Sequence, residues 1–65
     1  MKISRTYEVW TGGDMVEDLI SNRGVAINLA IRELTENEGV EVVVDEVIHY
    51  KLENLKDIEE LGKEI

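Results

Sequence analysis

Val40–Leu52, VEVVVDEVIHYKL, is the stretch whose reading decides the fold. Val40, Val42, Val44, Ile48, Tyr50 and Leu52 share one parity, so an extended chain puts all six on one face. Glu41, Asp45, His49 and Lys51 take the other parity, together with Val43 and Val47. β-branched residues dominate the run, as a pleated, half-buried surface prefers. The segment 40–52 is therefore predicted to be a strand, with Val44 on its buried face. Glu46 interrupts the apolar row, and a bulge or bend there would turn its carboxylate outward.

Upstream, Val25–Asn37 (VAINLAIRELTEN) changes the period. Ile27, Ala30, Ile31 and Leu34 recur at helical spacing, widened by Ala26 and Leu29, which predicts a helix 25–37 laid on the sheet with Leu34 buried. Gly39 follows at a C-cap position. Glu36 and Glu38 stand at the negative end of the helix dipole, where carboxylates are mildly unfavourable. Downstream, Asn54 can cap a short helix, about 55–64, whose apolar stripe is Leu55, Ile58 and Leu61, extended by Ile65. Asp57, Glu60 and Glu64 follow one another along its outward side.

The chain begins with Lys2–Trp10 (KISRTYEVW), a second predicted strand with Ile3, Tyr7 and Val9 on one face. Arg5 shares that parity and breaks the row. Trp10 points the other way, as a partner-binding anchor or, the reading favoured here, as the cap on a core edge beside the turn. Thr11-Gly12-Gly13-Asp14 is a turn. Asp14–Arg23 has two readings. Asp14 as an N-cap with Glu17 at the capping-box position makes it a helix, whereas the preceding Gly-Gly turn makes it the return strand of a hairpin, about 14–20, with Ser21 capping the next helix. The expected fold is α+β in a single domain 1–65: a small antiparallel sheet of strands about 2–10, 40–52 and, on the hairpin reading, 14–20, packed against helix 25–37, with a short C-terminal helix.

Composition narrows the function classes. The 65 residues contain 15 acidic and 7 basic side chains, a formal charge of −8, with 43% hydrophobic residues, enough for a core. That charge repels phosphate backbones and anionic membranes and suits a basic partner. Cysteine is absent and histidine occurs once, so neither a thiolate nucleophile nor a multi-histidine metal site can be assembled. No apolar run approaches the roughly 20 residues needed to span a bilayer, and the expected setting is the cytoplasm. Adjacent acids occur at Glu17/Asp18, Asp45/Glu46 and Glu59/Glu60, but Asp45 and Glu46 point to opposite faces of a strand and do not converge as an acid–base pair must, and Glu59/Glu60 reads as a solvated helix face. His49 has no triad partner. A non-enzymatic protein without cofactor or metal is expected.

Two resemblances follow. With Asp14–Arg23 helical and Lys2, Ser4 and Thr6 on a reading face, the strand and two helices resemble the ribbon-helix-helix regulators, but the strand 40–52 is then unexplained and the charge opposes DNA binding. In size, layout and charge the whole chain resembles small acidic phage-encoded inhibitors of the anti-CRISPR, DNA-mimic type. That resemblance implies binding to the basic nucleic-acid groove of a host complex, with carboxylates in place of phosphates and no direct nucleic-acid or membrane binding. The implied contact residues are Glu36, Glu38, Glu41, Asp45, Glu46, Asp57, Glu60 and Glu64. A structural or oligomerising module, pairing two chains through a strand edge with Val43 and Val47 outward, is the competing class, so that monomer and homodimer are both open.

Overall fold

The computed structural model describes residues 1–64. The elements run β1 (Lys2–Thr11), β2 (Asp14–Ile20), α1 (Arg23–Glu36), β3 (Val42–Lys51) and α2 (Leu55–Glu64). β1 is the central strand, antiparallel to β2 on one side and to β3 on the other, in the order β2-β1-β3. The α+β class and the strand reading of Asp14–Ile20 hold. The ribbon-helix-helix arrangement loses the first helix it requires.

β1 and β3 pair without interruption from Thr11–Val42 to Lys2–Lys51. There is no bulge at Glu46, which corrects the expectation that one would turn it outward. It keeps the parity of Val44 and Ile48, and its charge is met by Arg5 instead. β2 pairs only with the Tyr7–Thr11 half of β1, and irregularly. Between Tyr7 and Trp10 it uses two more residues than β1, as a bulged strand does. Leu19 absorbs one of these steps in the left-handed region, at φ 52°, and so brings Ile20 opposite Tyr7 in the core. The hairpin turn is made by Gly12 and Gly13, both at positive φ, and the Gly12 amide donates to the Glu41 carbonyl at 2.9 Å.

α1 starts one residue later than a Ser21 cap would place it. Asn22 is the cap, its side chain accepting from the Val25 amide at 3.2 Å. Asn37 closes the helix and Gly39 turns the chain at φ 81°. The helix lies on β1 and β3 through Ala26, Leu29 and Ala30, where two alanines permit close approach. With Val9 and Ile20 these form the buried core, flanked by Tyr7 and Val42. The burial of Leu34 and Val44 expected from the sequence is corrected. They are 55% and 41% exposed, because α1 covers only one half of the sheet and turns a second apolar stripe away from it. The other half of β1 and β3 runs on as a two-stranded ribbon to α2, making a body of 48 × 19 × 15 Å.

Candidate interaction surface

The pole of the molecule at the hairpin turn is built from four chain segments. Thr11 pairs with both Asp14 and Val42, and the Gly12–Glu41 hydrogen bond ties the turn to the start of β3. The α1 end is held there as well, since the Thr11 hydroxyl donates to Glu33 Oε1 at 3.1 Å and the Asn37 amide and side chain both donate to the Glu33 carbonyl. Val40 closes the connection by donating to the Asn37 carbonyl at 3.1 Å. Asp14, Glu36, Glu38 and Glu41 are thereby exposed at one end of the body. No basic residue occurs between Arg32 and Lys51, so nothing in that segment neutralises them.

The remaining carboxylates do not join this group. Asp45 is exposed on the face opposite α1, directly across from Glu8, while Glu46 is on the α1 side with Arg5 Nε 3.2 Å from its Oε1. Glu60 is exposed on α2, at the other end of the molecule. Glu64 ends α2; its side chain and all of Ile65 lie outside the described residues. Asp57 is a correction. It is 4% exposed and faces inward, taken up by local structure. Its carboxylate accepts from the Glu53 amide at 2.6 Å, the Asn54 amide at 3.3 Å and the Met1 ammonium at 3.2 Å, while Asn54 Oδ1 accepts from the Asp57 amide. This is a reciprocal capping box, and the Asn54…Asp57 spacing is the signal that announces it. The Glu53 amide above all, and then the Met1 ammonium, hold the Asp57 carboxyl below its ordinary value, and Asp57 in return raises the Met1 amino group.

Trp10 is half-buried on the face away from α1, between Met15 and Val43, with its indole N–H donating to Glu8 at 3.3 Å. On the same face His49 Nε2 and the Thr6 hydroxyl are 2.8 Å apart. Two open depressions flank α1. One, towards β2, is lined by Val16, Glu17, Val25, Asn28, Leu29 and Arg32, and the other, towards β3, by Tyr7, Arg23, Ile27, Val44 and Glu46. Neither brings two carboxyl groups, or a nucleophile and a base, to a common point. Among the described residues no three His, Cys, Asp or Glu side chains are grouped to hold a metal ion, and no helix is long and apolar enough to cross a membrane.

Comparison with protein-family models, curated proteins and solved structures finds no match for this chain.

Proposed function

We propose that this chain is a non-enzymatic inhibitor that occupies a basic, nucleic-acid-binding surface of a host protein complex in the cytoplasm, in the manner of an anti-CRISPR DNA mimic. The observation that supports the reading is the acidic pole. Glu36, Glu38 and Glu41 stand exposed on a backbone braced by hydrogen bonds at Glu33, Asn37 and Gly12, beside Asp14 from the hairpin. Carboxylates spaced on a braced backbone accept bidentate hydrogen bonds from arginine as phosphates do. Stability does not require them there, because α1 has no basic residue in its last turn and two of the glutamates flank its negative end. Glu60, Asp45 and Glu46 are secondary contacts on this reading, and Asp57 contributes none.

The experiment is a pull-down from host lysate at low and high salt, with and without added duplex DNA. A basic nucleic-acid-binding partner should be retained at low salt and released both by about 0.5 M salt and by the competing DNA. The triple variant Glu36→Lys, Glu38→Lys, Glu41→Lys should retain its far-UV circular dichroism and capture nothing. A neutral or acidic partner, indifferent to salt and to DNA, would overturn the reading.

A further inference from the structure

α1 carries two apolar stripes, and only one is used. Ala26, Leu29 and Ala30 face the sheet, whereas Ile27, Ile31 and Leu34, spaced i, i+4, i+7, lie beside them and are exposed. Ile27 and Val44 line the same depression, which places this second stripe on the β3 side. There Ile27 forms one wall of a groove with Val44 across from it, and the same face of β3 continues past Glu46, which is paired with Arg5, to Ile48 and to Ile3 on the ribbon. At the far end of the molecule stands the complementary element. α2 is amphipathic, with Leu55, Ile58 and Leu61 along one side, and among the described residues it packs on neither α1 nor the strands of its own chain beyond a marginal contact. A ten-residue helix gains its stability from packing, yet Ile58 is 55% exposed. The capping box and the Met1–Asp57 ion pair fix where this helix points.

We propose that two copies of this chain form a twofold-symmetric, antiparallel dimer in which α2 of each copy lies in the α1–β3 groove of the other. One isologous contact then covers both unpartnered surfaces in both copies. The area agrees. The chain exposes 5026 Å², against roughly 4,200 Å² for a compact protein of this mass, and the excess of about 800 Å² is one partner's share of a standard interface. The shape agrees as well, since the radius of gyration is 15.4 Å where a compact chain of this length has about 11 Å. Charge selects the antiparallel arrangement. Lys2, Arg5, Lys51, Lys56 and Lys63, five of the seven basic residues, lie on the ribbon and α2, where they nearly balance the six acids of that half, so the half brought together at the axis is close to neutral and most of the excess negative charge stays away from it. The two acidic poles are left at opposite ends. This dimer does not depend on the inhibitor reading, although it would give that inhibitor two acidic heads.

Sedimentation equilibrium of the full chain tests it first, with an expected mass of twice 7.4 kDa at micromolar concentration. Ile58→Asp and Ile31→Asp, both at positions exposed in the single chain, should each weaken association by at least about a hundredfold while far-UV circular dichroism shows the sheet intact. Because the chain has no cysteine, Ile31→Cys and Ile58→Cys chains can be mixed, and the 31–58 disulfide should form between copies faster than either chain cross-links with itself. A chain that stays monomeric at millimolar concentration, with α2 folded back on its own groove, would overturn the proposal. So would a dimer unaffected by both aspartate variants, which would instead join copies along the β3 edge.

Discussion

Arg5 and Glu46 meet diagonally across β1 and β3, Nε to Oε1 at 3.2 Å, and each is the residue that interrupts the apolar row of its own strand. Two defects in the alternation, more than forty residues apart in the chain, are one feature of the folded sheet. The side chains are 59% and 47% exposed, so the attraction is screened by water and their coupling is small. A double-mutant cycle of Arg5→Ala and Glu46→Ala in an Ile58→Asp background, which keeps the chain single, should give about 0.2–1 kcal/mol, shrinking in 1 M salt. In the native chain the coupling should be larger, because the proposed dimer removes water from that face.

Asp57 predicts a stability profile with two flanks. Its folded pKa is depressed from 3.8, so its contribution is complete above that value and is lost as the pH falls through the depressed one. The Met1 amino group is raised above 8.0, so its contribution is complete below 8.0 and is lost as the pH rises through the raised value. Melting temperature should therefore hold level in between, for these two groups, and decline at either side. Asp57→Asn should lose helicity in α2 and flatten the alkaline flank. An identical alkaline profile in the variant would contradict the ion pair.

The burial pattern sorts substitutions that the sequence pattern alone would group together. Val9→Asp or Ala30→Asp places a carboxylate in the only buried cluster among the described residues, at a cost of several kcal/mol, comparable with the stability of so small a domain. Both should abolish the far-UV signal of the fold. Leu34→Asp and Val44→Asp should leave a folded chain, checked by circular dichroism and thermal melting.

Leu19 offers a gain. A leucine at φ 52° strains its backbone, and with 69% of its surface exposed it contributes little packing. Leu19→Gly should stabilise the domain by about 1 kcal/mol, or roughly 4–8 °C in melting temperature. An unchanged or lower melting point would show that Leu19 packs on something in solution.

What the sequence made legible follows from regularity. β3 and the β1 face of Ile3, Tyr7 and Val9 keep strict register, and their alternation reads directly. β2 does not, because two added residues between Met15 and Ile20 shift its parity twice and leave a pattern that imitates a helix. In α1 the apolar positions mark the helix correctly, but nothing in their spacing says which of two adjacent stripes meets the sheet. The small side chains Ala26 and Ala30 decide it, since they allow the closest approach. At the candidate site, Glu36, Glu38 and Glu41 lie near one another in sequence and stay together in space. Asp14 joins them only through strand pairing, and Asp57 leaves the set because its carboxylate is nearer to its own backbone than to any partner.

The uninterrupted pairing of β1 with β3 has a kinetic consequence. Its partners are separated by 31 residues at Thr11–Val42 and by 49 at Lys2–Lys51, so closing the sheet from the ribbon end means closing the longer loop first. The hairpin of β1 and β2 is local and can form within microseconds, while α1 shortens the span still to be bridged. Zippering is then cheapest from the Gly12–Glu41 contact towards Lys2, with Met1 reaching Asp57 last. Substitutions at Thr11 or Val42 should slow refolding, whereas those at Lys2, Tyr50 or Asp57 should chiefly speed unfolding.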